Sequence, residues 1–347
     1  MGFKDRLNGP GLWYLFPMVR ALFPLVVLLL FFSCSSRPSG SGVYFWRTTL
    51  DWSENDTRRL GEAGVDRLGL RLFDWGTAGE EGPLVVRSPL PRTMAVVPVV
   101  YVTTSRLESW AQDPGFEPAL EARNLLAHMD KALSAAWPGT PGVWQLDADW
   151  TASTRAAWFA VAGAFRDLVH ARGARFEVTV RLHQYRDRGA QGIPPADAGV
   201  LMLYGAGDAV LDRDLVAGYL NGPSYPLPLV PAFPTYTQVR QNNGYGRLVA
   251  LHRLAADGDL PLADLVRVGP DHYSVVRRSS LGGRPLMAHD ELFVDRVDPG
   301  VLDAVAALPS VAALTRAAGD RVWVFDYDPQ GWEALVHGSL AAHLFPR

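Results

Sequence analysis

Two aspartates spaced i, i+2, Asp147 and Asp149, close the apolar run VWQLDAD at residues 143–149. Side chains on a β-strand alternate between faces, so both carboxylates leave the same face. The opposite set, Trp144, Leu146 and Ala148, is wholly apolar and suits contact with helices. A second run, FEVTVRLH at 176–183, divides the same way, with Phe176, Val178, Val180 and Leu182 against Glu177, Thr179, Arg181 and His183. Carboxylates and cations on neighbouring strands have two uses. Acid–base chemistry wants a carboxyl whose proton affinity is tuned by a like-charged neighbour. A structural ion pair wants only a partner, because an isolated buried charge is too costly to persist. Asp147, deeper in its strand, suits pairing with Arg181 or Arg71 as well as it suits chemistry. Asp149 and His183, nearer the strand ends, are the better site candidates.

Other apolar runs end in comparable residues. In RLGLRLFD (67–74), Arg71 stands opposite Leu68, Leu70 and Leu72, with Asp74 at the end and Trp75 just beyond. VLMLY (200–204) ends in Tyr204, Tyr236 follows LPLVPAF (227–233), and VWVFDYD (322–328) ends in Asp326 and Asp328. Asp74 and Asp326 would serve equally well as turn caps, since a short carboxylate bonds nearby backbone N–H groups. The eight histidines show no HExxH or Cys/His spacing, which gives a metal site no support. No GxSxG or Walker loop is present, so serine-hydrolase and phosphate-loop chemistry drop out and no cofactor is implied.

These residues need elements to position them. With VYFWRTT (43–49) and AVVPVVYV (95–102), the strand-like runs number eight. Helical periodicity lies between them at about 53–64, 117–136, 153–172, 211–220, 245–256 and 300–317. Alternating strands and helices argue for parallel strands, and eight such units make a (β/α)8 TIM barrel whose site lies at the C-terminal strand ends. A doubly wound sheet is disfavoured, because VYFWRTTLDW holds no glycine-rich dinucleotide loop after the first strand. Residues 262–298 break the repeat and read as a small β-hairpin-like insertion between strands seven and eight, with a turn at Gly282 and Gly283. The expected organisation is a single barrel over 43–347.

The chain has 347 residues, 48% of them hydrophobic, and a net charge of −3 with 20% charged residues. That charge balance excludes a nucleic-acid partner and favours a neutral polar ligand such as a glycan. Eleven Trp and 11 Tyr would suit stacking on sugar rings, although aromatic residues also fill cores. At the N-terminus, Arg20 precedes an apolar stretch from Ala21 to Phe32 that ends at Ser33 and Cys34, the only cysteine. The stretch is shorter than a spanning helix needs and contains Pro24. It reads as a signal peptide over 1–33, for which Met18, just before Val19 and Arg20, would make a tidier true start. Cys34 resembles the lipidated cysteine of a bacterial lipobox, with Phe31 and Phe32 where Leu and a small residue are usual. Residues 34–42 would then be a lipidated cysteine and flexible tether, placing the domain in the bacterial cell envelope, anchored to the outer membrane. With one cysteine no internal disulfide can form.

The pieces YFWRTTL, LRLFDWG, LDADWTASTR, TVRLHQ and GIPPADAGVLMLYGAG together resemble a group of uncharacterised bacterial envelope lipoproteins of glycosidase-barrel type, in which an asparagine follows the tyrosine where Gly205 stands here. More distantly, Asp147, Asp149 and Thr151 resemble the DxDxE motif of family 18 chitinase-like glycosidases. In that motif the final Glu protonates the glycosidic oxygen and the preceding Asp orients the substrate's acetamido group. Here the acid position is Thr151, which cannot protonate a leaving group. The resemblance implies either a glycoside hydrolase-like enzyme or a non-catalytic glycan- or protein-binding lipoprotein on the same barrel. In the enzyme, Asp149 would be the general acid beside Asp147. Asp326 or Asp74 would be base or nucleophile, with His183 and Arg181 orienting the carboxylates. Arg71, Tyr204 and Tyr236 would hold sugar hydroxyls, and Trp75 and Trp150 would flank the mouth, Trp150 being equally suited to the helix layer.

Overall fold

The apolar runs form strands because they are rich in Val, Leu and aromatic residues, which fit a pleated surface buried on both sides. The computed structural model describes residues 40–254, 260–327 and Trp332. The expected signal peptide, Met18, Cys34, tether residues 35–39 and Asp328 lie outside the described residues. Eight strands follow in chain order: β1 (Ser41–Phe45), β2 (Val65–Gly76), β3 (Ala95–Val102), β4 (Val143–Ala148), β5 (Arg175–Arg181), β6 (Ala198–Met202), β7 (Leu229–Pro234) and β8 (Trp323–Phe325). Each pairs in parallel with the next from β2 to β8, and β8 and β2 both pair with β1, which closes the cylinder. This is the expected (β/α)8 barrel, and its strands are the eight runs read from the sequence. β1 begins at Ser41, two residues before the run VYFWRTT. β5 stops at Arg181, and Leu182–Arg186 continues as a short helix, so His183 sits on a helix rather than a strand.

The barrel wall separates two apolar cores. Outside it, Leu68, Leu70, Trp144, Leu146, Ala148, Phe176 and Val178 pack against helices such as Pro118–Ala136 and Arg155–His170. Inside it, Tyr44, Val97, Val99, Val200, Met202, Ala232, Trp323 and Phe325 form a second cluster. Alternation places the two sets on opposite faces, as the strand patterns require. Trp323 is the largest interior side chain, and glycines on the facing strands make room for it. A Cβ on Gly42 would lie 2.6 Å from Trp323, and one on Gly69 would lie 2.6 Å from Tyr44 and 3.1 Å from Trp323. Tyr44 stacks on Trp323 at 4.6 Å and donates its hydroxyl to Gln145 Oε1 at 2.7 Å, which joins the apolar interior to the polar layer above it.

Three expectations are corrected. The helix expected at 245–256 is a strand, Leu248–Leu254. Its helix-like spacing came from Leu248, Val249 and Leu251, which are exposed rather than core-facing. The insertion expected at 262–298 is correspondingly longer. Strands Leu248–Leu254, Thr237–Asn242, Glu291–Asp295, His272–Val275 and Leu265–Gly269 form, in that order, a five-stranded antiparallel sheet between β7 and β8. A hairpin of Ser279–Leu281 and Arg284–Leu286 turns at Gly282 and Gly283, both with positive φ. Finally, the single helix expected at 300–317 is two, Pro299–Ala306 and Pro309–Ala317, because Pro309 cannot continue the first and starts the second.

The interior packing around Trp323 gives a direct test. Gly69→Ala should lower stability by about 1–3 kcal/mol, the usual cost of overpacking, read as a fall in the denaturant midpoint. Gly142→Ala, where a Cβ would meet nothing within 4 Å, should have little effect.

Candidate functional site

At the C-terminal end of the barrel, β4, β5, β6 and the segment after β7 enclose one side of a cavity of about 610 Å³. Its floor is Asp149, Arg181 and Tyr204; His183 and Tyr236 stand at its sides; Gln238, Arg240, Leu251 and Arg253 of the inserted sheet form the opposite wall. Asp147 lies just below, 3% exposed.

The charges are organised around Arg181. Its Nε donates to Asp149 Oδ1 at 2.6 Å, and its second terminal nitrogen reaches Asp147 Oδ1 at 3.5 Å. Thr179 Oγ1, two residues earlier on β5, also donates to Asp147. These contacts follow from register, since Gln145 pairs with Glu177 and the next inward residues on each strand are Asp147 and Thr179. Burial pushes the Asp147 carboxyl above the usual range; Arg181 opposes this and the Asp149 charge reinforces it. Burial also works against the Arg181 charge, yet the two aspartates together hold its pKa above the ordinary value. Partial burial lowers the His183 pKa against the pull of Asp149. Burial raises the hydroxyl pKa of Tyr204 and Tyr236, so both present protonated donors at neutral pH. Tyr204 currently donates to Met202 Sδ at 2.9 Å.

The structure thus brings together Asp147, Asp149, Arg181, His183, Tyr204 and Tyr236. It separates the others. Arg71 and Asp74 form their own pair at 2.8 Å, and Arg71 also donates to the Gly82 carbonyl at 2.9 Å; neither lines the cavity. A register shift between Arg71 and Phe73 puts Phe73 and Trp75 on the helix side of β2. Trp75 is therefore no platform at the mouth: it is 4% exposed, donates to Glu121 at 2.6 Å and lies beneath Arg106. Trp150 is also in the helix layer, bonded to the Gln191 carbonyl at 2.9 Å. Asp326 follows β8, its carbonyl accepting from Thr235 at 3.0 Å; its charge raises the Tyr236 pKa, but it does not line the cavity. Thr151, at the motif's acid position, is exposed and bonded to Ser153 at 2.9 Å in the turn before helix Arg155–His170.

Three contributors escaped sequence reasoning. Tyr101, whose hydroxyl points to Asp149 Oδ2 at 3.5 Å, ends β3 and was accessible to the same strand-end rule. Arg240 and Arg253 were not, because Thr237–Asn242 carried no expected element and Leu248–Leu254 was expected to be helix. Gly205 has φ +73°, a conformation that glycine and asparagine adopt most readily, and a Cβ there would meet nothing within 4 Å. Glycine therefore fits the backbone turn at this position.

No family model matches the sequence, and no curated protein matches it. Among solved structures, the chain is similar to the C-terminal domain of a putative chitinase from Desulfitobacterium hafniense DCB-2, with a TM-score of 0.51 at 13% identity, covering 89% of this chain and 100% of that one. It is similar to the Bacillus megaterium QM B1551 spore cortex-lytic enzyme SleL, with a TM-score of 0.52 at 11% identity, covering 87% and 74%. It is also similar to catalytic domain 2 of the Ostrinia furnacalis Group II chitinase, with a TM-score of 0.51 at 11% identity, covering 89% and 96%. The shared feature is the fold: a closed parallel barrel of the type found in chitinase-like glycosidases.

Removing the guanidinium should expose its role. Arg181→Met leaves two carboxylates facing each other without the cation that is bonded to both, and should cost about 3 kcal/mol at pH 8. Asp147 already has a raised proton affinity, so it takes up a proton as pH falls and relieves the repulsion. The gap between wild type and variant in urea midpoints should therefore shrink from pH 8 to pH 5. A gap independent of pH would show that packing, not charge, was lost.

Proposed function

We propose that the protein is a glycoside hydrolase-like barrel that holds a glycan in the 610 Å³ cavity, and that it binds without efficient turnover. The observation that carries this reading is the clamp on Asp149. Its Oδ1 is committed to Arg181 at 2.6 Å, while the position that would protonate a leaving group holds Thr151. A general acid must direct its proton at the glycosidic oxygen, and neither side chain is arranged to do so. The remainder of the mouth is a recognition surface. Tyr236, Gln238 and His183 offer hydroxyl, amide and imidazole groups beside the Tyr204 ring, the combination that hydroxyl-rich ligands need. The solved structures of similar fold include enzymes named for chitin and spore cortex, which supports a glycan as the ligand class.

Hydrolysis is the second reading, and one observation favours it. Burial raises the proton affinity of Asp147, and Arg181 joins Asp147 to Asp149, so a ligand that drew Arg181 away would leave two adjoining carboxyls able to share a proton. Incubation of the domain with peptidoglycan, chitin and assorted polysaccharides, followed by pull-down and reducing-end assay, separates the two. Binding without new reducing ends is the expected result. Turnover abolished by Asp149→Asn would establish the enzyme instead, and an inert panel would remove the glycan reading altogether.

We also propose that the domain is carried in a bacterial envelope by lipidation of Cys34, on the strength of the apolar stretch and the single cysteine after it. Labelled palmitate should enter the full chain and not Cys34→Ala when both are expressed in a bacterial host. An unlabelled wild-type chain would end that proposal.

A further inference from the structure

We infer that the ligand is an acidic glycan and that Arg253 selects it through a sugar carboxylate. This inference rests on the glycan reading above and deepens it. The cavity lining carries two aspartates, Asp149 and Asp208, and three arginines, Arg181, Arg240 and Arg253. Two of the arginines are occupied. Arg181 is bound to Asp149 at 2.6 Å, with Asp147 beneath, and Arg240 lies 3.4 Å from Asp208 and over the Phe293 ring at 4.7 Å. Arg253 makes no hydrogen bond or ion pair among the described residues. Arg253 is therefore the arginine of the lining whose N–H groups no described side chain engages, although its charge also acts on the buried Asp147.

An exposed arginine is ordinarily just solvated, but Arg253 is held in place. Its guanidinium carbon lies 5.2 Å from the centroids of both Tyr236 and Phe325, whose rings meet edge to face at 5.8 Å. Tyr236 and Phe325 are each under 5% exposed, so this support is part of the barrel's interior core. Its strand is registered directly against Gln238 of the next strand, itself part of the cavity wall. A guanidinium fixed by aromatic faces keeps its N–H edge free, and that planar fork matches a carboxylate with two parallel hydrogen bonds. Fixing it beforehand removes much of the ordering cost that a free arginine would incur on binding. Tyr236 beneath and Gln238 beside it can donate to the same sugar.

The test uses two carboxylated probes: oligogalacturonate, and peptide-free peptidoglycan strands with their lactyl carboxylates. Each is compared with its own carboxyl-reduced form by calorimetry. The wild-type domain should bind at least one acidic probe about tenfold or more tighter than its reduced form, with a preference that weakens as salt rises. In Arg253→Gln the preference, read as the ratio of the acidic to the reduced affinity, should fall below about twofold. Arg253→Lys, which keeps charge but loses the fork, should fall in between. Unfolding midpoints of the variants check that the wall stays folded. If reduced and acidic forms bind wild type equally, or the preference survives Arg253→Gln, the inference is overturned and the glycan reading stands. If neither form of either probe binds, both are overturned.

Discussion

The Arg181 guanidinium between Asp147 and Asp149 is the interaction on which the mouth depends. Two carboxylates on one face of a buried strand repel each other and lose hydration, so they persist only if the neighbouring strand supplies a cation at the right level. β5 does so because its register with β4 sets Thr179 beside Asp147 and Arg181 one inward step above. The pair thereby ties two strands together at the end where loops diverge. It also decides what kind of chemistry is available, because the carboxylate at the floor of the cavity is already engaged by a strong donor.

Below this polar layer the barrel is filled rather than hollow. Trp323, Tyr44 and Phe325 occupy the centre, and Gly42 and Gly69 give up their side chains to accommodate them. The interior aromatic stack continues upward through Tyr204 and Tyr236, with Phe325 5.5 Å from one ring and 5.8 Å from the other. The floor of the cavity is therefore the top of the core. Its side chains are held by the same contacts that stabilise the fold, which is why the aromatic surface under Arg253 is rigid.

The inserted sheet completes the site. Its own small core, Val239, Val275, Leu281, Leu286, Leu292 and Val294, stabilises one face, and a buried chain of hydrogen bonds from His252 to Gln241 to Asp290 ties in the hairpin at Gly282. The other face is left to carry Gln238, Arg240, Leu251 and Arg253 toward the barrel. A barrel alone would present the paired charges of β4 and β5; the wall adds cations whose pairing differs from residue to residue. The local charge at the mouth thus departs from the net charge of the chain.

Period-two alternation was enough to determine the eight strands, their inward faces and the grouping of Asp147, Asp149, Arg181 and Tyr204, because strand geometry converts sequence parity directly into facing. Strand ends likewise pointed to the rim where the cavity lies. Three things lay beyond it. A one-residue shift in β2 reversed the facing of Trp75, and a bulge has no composition of its own. Exposed Leu248, Val249 and Leu251 imitated a helical stripe, since periodicity records where apolar residues stand and not whether anything covers them. Only the tertiary structure decided that Arg71 and Asp74 pair with each other away from the cavity, and that Arg253 comes to lie on Tyr236 and Phe325. Those are contacts between or beyond strand ends, where neither alternation nor spacing constrains which side chain meets which.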